Sequence, residues 1–298
     1  MSILQDKVSN IYGKIKIREY LKEKLDLSTR LIRSASKDQR IYVNNSAVRM
    51  NYMIKNGDII KIDLNRNESQ NINPEKIDLD IVYEDEDVLV INKQPFIIVH
   101  PTKNFQSGTL ANGILYYFQE TNQNCIVRLV SRLDMNTSGL IIIAKNQFSH
   151  SRLSKDMKEK LQKRYLAIVN GNLEEKEGTI DLPIYKPEGI EYGSMRVVDE
   201  RGQRSITHYK VIESFDGGDL VECLLETGRT HQIRVHLSHL GHPIYGDELY
   251  GVGAEENLIK RQALHAYGLN FASPRSLKEL SLRAELPDDM KELLEKIK

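Results

Sequence analysis

Residues 65–74 read Asn-Arg-Asn-Glu-Ser-Gln-Asn-Ile-Asn-Pro, and this tract limits what the chain can fold into more than any other feature. Four of its ten residues are Asn, Ile72 is its one apolar side chain, and it closes on Pro74. Such a stretch has turn chemistry and no periodic face to bury, so it reads as a connection between two separately cored segments. A length of 298 residues agrees, being about two domains' worth. The boundaries expected are a first domain at 1–64, a linker at 65–76 and a second domain at 77–298.

Charge follows the same division. The whole chain has 42 Lys and Arg against 42 Asp and Glu, a formal net charge of zero that by itself counts against a nucleic-acid partner. Residues 1–76 hold 15 and 9, a net of +6, while residues 77–298 hold 27 and 33, a net of −6. The zero is therefore a cancellation. Asymmetry of this kind points to nucleic-acid or membrane contact, or to unevenly charged solvated surface. No apolar run approaches the roughly 20 residues of a membrane helix. The start, MSILQDKVSN, lacks the apolar core of a secretory signal. Two cysteines, Cys125 and Cys223, are too few for a disulfide framework or a four-thiolate metal site. The expected location is the cytoplasm.

Before the linker, Ile17, Tyr20, Leu21 and Leu25 have helical spacing within residues 15–25. Ser28 can cap a second helix that carries Leu31 and Ile32 with Arg30, Arg33 and Lys37. Two strand-like runs, IYVNNSAV and GDIIKID, follow, with Asn44-Asn45 and Gly57-Asp58 as turns. After the linker, residues 79–93 read as strand, charged turn, strand. Helices are expected at 109–118, 147–161, 231–240 and from Pro287 onward. Strands are expected at 126–130, 140–144, 164–169, 205–212 and 219–226. Adjacent hairpins with few crossover helices favour α+β with a largely antiparallel sheet.

Three segments stand out for chemistry, one of them Lys163–Gly171, a strand with the amphipathic Tyr165 that taken alone reads as an ordinary half-buried strand. In Arg132-Leu133-Asp134-Met135-Asn136-Thr137-Ser138-Gly139 a polar loop interrupts two apolar strands. Asp134, with Arg132 and hydroxyl or backbone donors nearby, could be held ionised as a nucleophile or base. The same residue types also make an ordinary turn. The remaining segment, 226–243, contains His231, His236, His239 and His242, half of the chain's eight histidines. Their spacing of 5, 3 and 3 lacks the HExxH pattern and no thiolate is near, so a metal site fits poorly. The alternative is RNA contact by His and Arg side chains at a helix start.

In order along the chain, four motifs together resemble the RluA-type pseudouridine synthases. They are Asn92-Lys93-Gln94-Pro95-Phe96-Ile97-Ile98-Val99-His100-Pro101, Ser131–Leu140 around Asp134, Lys163–Gly171 around Tyr165, and Thr227–His236 followed by Gly246-Asp247 and Tyr250-Gly251. Residues 1–64 resemble the S-four-like RNA-binding domain often fused to these enzymes. The chain departs from the family pattern at Ser131, where His is usual, and at Gln94 and Phe96, where Pro and Gly are usual.

The resemblance implies an α+β, largely antiparallel mixed-sheet catalytic domain of the pseudouridine synthase fold behind a small α/β RNA-binding domain. It implies an isomerase that converts uridine to pseudouridine in structured RNA, large-subunit ribosomal RNA above transfer RNA. Asp134 matches the family's catalytic aspartate, Arg234 its active-site arginine and Tyr165 its active-site tyrosine. Arg132 matches a residue that enters the RNA helix as the target base flips out, and Arg229 and His231 fall in the late motif as RNA contacts. Arg30, Arg33, Lys37 and Arg40 of the basic module are expected to meet phosphates. The reaction oxidises nothing and imports no group, so no cofactor and no metal are expected. Neither DNA nor a membrane is an expected partner, and the expected state is a monomer. The competing readings are a non-catalytic RNA-binding or ribosome-assembly protein, and a metal-dependent hydrolase using Asp134 with the histidines.

Overall fold

The computed structural model describes residues 2–64, 70–156, 160–189, 194–251 and 258–298. Part of the expected linker (65–69) and part of the expected helix 147–161 (157–159) lie outside the described residues.

The N-terminal unit contains β1 (Ile3–Lys7), β2 (Ile15–Lys16), α1 (Ile17–Glu23), α2 (Thr29–Lys37), β3 (Ile41–Val43), β4 (Ser46–Ala47), β5 (Met53–Ile54) and β6 (Ile59–Asp63). Four of the strands form an antiparallel sheet in the order β1-β6-β3-β4. Ser28 accepts a hydrogen bond from the Leu31 amide at 3.2 Å and so starts α2. Asn44 and Asn45, at φ 49° and 67°, supply the two left-handed residues that a tight β3–β4 hairpin needs. Leu31, Ile32 and Ala35 of α2 are buried, which turns Arg30, Arg33 and Lys37 outward. Arg40 does not join them. Its guanidinium is tied to Asp38, Ser34 and the Asp63 carbonyl, so it closes the unit on itself and is not free for a phosphate.

The rest of the chain contains β7 (Asp80–Glu84), β8 (Val88–Lys93), α3 (Leu110–Glu120), β9 (Arg128–Leu129), β10 (Ser138–Ala144), α4 (Gln147–Asp156) and β11 (Gln162–Asn170). It continues with β12 (Glu177–Asp181), β13 (Ile184–Tyr185), β14 (Val197–Val198), β15 (Ile206–Phe215) and β16 (Gly218–Leu225). The last elements are α5 (Gln232–His239), β17 (Leu264–Ala272), β18 (Glu279–Arg283) and α6 (Asp288–Lys296). One large sheet runs β12-β15-β16-β11-β17-β10-β8-β7, with β18 on β17 and β9 on β10. All of its pairings are antiparallel except β10 with β17, which makes it an α+β mixed sheet.

The strands β8 and β10 are near-continuous apolar runs because both of their faces are covered. Leu89, Ile91, Ile141 and Ile143 enter the main core with α3, α5 and α6. Val88, Val90, Leu140 and Ile142 enter a second core with Leu153 of α4 and Phe271 of β17. Thr109 caps α3 in a capping box closed by Asn112.

The second half of the Asn-rich tract is fixed to the larger unit. Gln70 exchanges hydrogen bonds with the Val127 backbone at 3.0 and 2.9 Å, Ile72 is buried in the main core, and Glu75 accepts from the Gly108 amide. The two units also touch directly. Phe148 of α4 is 3% exposed within the N-terminal core, and Arg275 donates to the Ile3 carbonyl and to Ser2 while pairing with Asp87.

Candidate active site

Asp134 lies in the loop between β9 and β10, where the Thr137 amide donates to its carbonyl at 3.1 Å in a turn. Two buried cations hold the next two carbonyls. Lys93 donates to Met135 at 2.9 Å, as well as to the Gln94 and Ile97 carbonyls. Arg261 donates to Asn136 at 3.2 Å and is anchored by both carboxylate oxygens of Asp289. Burial pulls the Lys93 ammonium down to about 7; Arg261 adds repulsion and Asp134 attraction. Immediately after the loop, Gly139 has φ +111°, and a side chain there would meet the Ala266 carbonyl oxygen at 2.3 Å. That glycine lets β10 run close beside β17 and seats the loop on the sheet.

The late motif is built around Gln232. Its carbonyl oxygen accepts from Thr227 and from the Arg229 amide, and its amide donates to the Ile206 carbonyl and to Thr207. Both polar atoms of this buried side chain are used, the oxygen shaping the turn at Thr227 and Arg229 and the amide tying it to β15. His231, left-handed at φ 58°, then enters α5, whose first turn delivers Arg234. The Arg234 guanidinium is 6% exposed and serves two carboxylates. It makes two bonds of 2.7 Å to Asp247 and one of 3.1 Å to Asp134. Asp247 is wholly buried and also accepts from the Leu249 and Tyr250 amides, whereas Asp134 is 30% exposed. One carboxylate is thus consumed in holding the arginine, and the other keeps an open face.

His231 is an inward-facing member of this cluster, with Nε2 at 3.8 Å from Asp134. The Tyr250 hydroxyl accepts from the Arg196 amide at 2.8 Å and shares a hydrogen bond of 2.9 Å with His231 Nδ1. Burial, opposed by Asp134 and assisted by Arg234, lowers the pKa of His231 and favours its neutral form.

Tyr165 sits on β11 at the one position where the register with β17 slips. Bulges of this kind re-aim a side chain, and here the ring joins Asp134 in lining a cleft of about 670 Å³. Burial, and next the Asp134 carboxylate, push the phenol pKa up, so at neutral pH it is a proton donor and not a phenolate. Lys163, two residues earlier on the same face, lines the cleft as well, and burial lowers its pKa. Arg132 and Arg229 are exposed at the rim. A small recess of about 60 Å³ continues inward past Asp134 to Arg234 and His231.

Asp134, Tyr165, Arg234, Arg132, Arg229 and His231 therefore converge, while Arg30, Arg33 and Lys37 lie on the N-terminal unit. The remaining late histidines disperse. His236 uses both ring nitrogens on Thr207 and the Leu182 carbonyl, and His242 bonds the Asn170 carbonyl. Among the described residues no three His, Cys, Asp or Glu side chains gather as metal ligands. Sequence reasoning missed Asp247, Lys93 and Arg261 as site-building residues. The first two stand inside motifs already singled out, whereas Arg261 carried no such signal.

An accessible carboxylate held by a buried arginine, beside a phenol and at the floor of a cation-rimmed cleft in a mixed sheet, defines a class of α+β protein equipped for nucleophilic or acid–base chemistry on a polar substrate. A family model described as RNA pseudouridylate synthase matches residues 87–239. The "Uncharacterized RNA pseudouridine synthase YjbO" of Bacillus subtilis is 42% identical over 284 residues, covering 93% of this chain and 98% of that protein. Ribosomal large subunit pseudouridine synthase D of Yersinia pestis is 35% identical over 287 residues, covering 92% and 87%. Among solved structures, Human RNA Pseudouridylate Synthase Domain Containing 4 superimposes with a TM-score of 0.59 at 25% identity, covering 73% of this chain and 92% of that one. The chain belongs to the RNA pseudouridylate synthases, in their RluA-type branch, and is an isomerase.

Proposed function

We propose that this chain isomerises uridines in structured RNA, large-subunit ribosomal RNA in particular, with Asp134 as the catalytic carboxylate. The observation that carries the assignment is the asymmetry around Arg234: Asp247 is sealed, and Asp134 keeps an open face on the cleft. In the reaction the C1′–N1 glycosidic bond breaks, the uracil turns, and a C1′–C5 bond forms. The C5 proton departs and N1 gains one, so atoms and charge balance. Attack at ribose or at the base, or abstraction of a ribose proton, requires an ionised aspartate. Arg234 donates to that carboxylate at 3.1 Å, and His231 Nε2 lies 3.8 Å from it. The Tyr165 ring offers a stacking surface for uracil and its phenol a proton donor.

A base in a duplex cannot reach a recessed carboxylate without being extruded, at a cost of a few kcal/mol. Arg132 is exposed at the rim and has no hydrogen-bond or ion-pair partner among the described residues, which supports a role in filling the gap left by the flipped base. Arg132→Ala is expected to slow turnover on a structured RNA and to spare an unstructured oligomer. An equal loss on both, measured by the rate of pseudouridine formation, would contradict that role.

The exposed Arg30, Arg33 and Lys37 on α2 supply phosphate contacts that add salt-dependent affinity without sequence choice. The ribosomal assignment is supported by relatives named as ribosomal large subunit synthases. A pseudouridine map of total RNA from cells with and without the gene tests it. Loss of one or more large-subunit sites is the expected result, and loss confined to transfer RNA would contradict it.

A further inference from the structure

The domain that holds the cleft is acidic overall, yet it contains a second cavity with no acidic lining. This cavity, about 540 Å³, shares Arg132 and the turn 228–230 with the cleft, and its opposite wall is the hairpin formed by β13, β14 and residues 201–203. Five of its eleven lining residues are cationic: Arg132, Lys186, Arg196, Arg201 and Arg229. In a segment of net charge −6, such a groove is not the average surface.

The wall is fixed. Ile184 and Gln203 exchange both backbone hydrogen bonds at 2.9 Å. At Gly202 a side chain would meet the Ile184 carbonyl carbon at 2.4 Å, so only glycine allows the strands this close. The Arg201 guanidinium lies 4.5 Å from the Tyr185 ring centroid and is gripped by both oxygens of Asp199. The Arg196 amide donates to the Tyr250 hydroxyl, which in turn meets His231 beside Asp134. The groove is thus tied by hydrogen bonds to the catalytic cluster. Lys186 is exposed, and neither it nor Arg132 has a hydrogen-bond or ion-pair partner among the described residues. Two cations without internal partners, beside the Arg196 and Arg229 guanidiniums that bond only backbone carbonyls among the described residues, suit a run of phosphates better than a neutral ligand, while Arg201 is spent on Asp199 and shapes the wall.

We propose that this groove binds the sugar–phosphate backbone of the RNA strand flanking the target uridine. The target nucleoside then enters the cleft past Arg132 and Arg229, while the neighbouring phosphates lie between Lys186 and the turn 228–230. The inference rests on RNA being the substrate and adds where its strand runs. Contacts of this kind set register and leave sequence unread.

The test is the binding of a fluorescein-labelled RNA hairpin with a loop uridine, followed by anisotropy across a salt series. Lys186 is exposed, so Lys186→Glu leaves the fold intact, which a urea titration checks. The variant is expected to bind roughly tenfold more weakly near physiological salt, and the slope of log affinity against log salt is expected to flatten by about one unit. Lys291→Glu, an equal charge change on α6, is expected to alter neither quantity. A Lys186→Glu slope and affinity equal to wild type, or a loss matched by Lys291→Glu, would overturn the groove. Binding is read without turnover, so a wild-type protein that binds the hairpin but forms no pseudouridine would contradict the proposed function separately.

Discussion

Arg234→Met is expected to abolish isomerisation and to destabilise the protein by about 3–5 kcal/mol, as removal of one partner of a buried ion pair does. The Asp247 side chain has no solvent exposure, and without the guanidinium its charge retains, among the described residues, the Leu249 and Tyr250 amides. The effect on stability and the effect on activity run through different carboxylates and can be separated. In Arg234→Met with Asp247→Leu the stranded charge is gone, so much of the stability is expected to return. Asp134 still lacks its cation in that double variant, so activity is expected to stay lost. Urea midpoints and single-turnover rates read the two quantities. Recovery of activity together with stability would show that Arg234 serves only the fold.

Asp134→Asn has the opposite profile. The amide oxygen can still accept from Arg234, and the side chain is partly exposed, so stability is expected to change by less than about 1 kcal/mol. Affinity for an RNA hairpin is expected to persist, because the rim and groove cations are untouched. Turnover is expected to fall by at least roughly 10²–10⁴-fold, the span typical of a removed acid–base group. A variant retaining more than a tenth of the wild-type rate would transfer the chemistry to another residue.

The parts of this structure legible in the sequence are those whose signal is local. Ser28 and Thr109 cap helices through their own side chains. The β8 and β10 runs are apolar on both faces, and the four ordered motifs bring Asp134, Tyr165 and Arg234 to one cleft. What sequence reading missed depends on distant partners. The strand β1 reads ILQDK, with no buried residue, and is a strand because β6, over fifty residues on, pairs with it. The strand β17 includes Tyr267, Gly268 and Asn270, which hide its period, yet it lies between β11 and β10. The groups that shape the loop after Asp134 act across 42 residues from Lys93 and 125 from Arg261. A buried charge has no periodic signature, and its partner is visible only after folding.

In the proposed reaction the accessible carboxylate of Asp134 drives exchange of the glycosidic bond from N1 to C5 of a uridine in RNA. Tritium release from RNA labelled at uridine C5 tests it most directly, because only bond formation at that carbon expels the label in this reaction. Wild-type protein is expected to release tritium in step with pseudouridine formation, and Asp134→Asn is expected to release none above background while still binding the RNA. Release by the variant at the wild-type rate would show that the exchange proceeds without the Asp134 carboxylate.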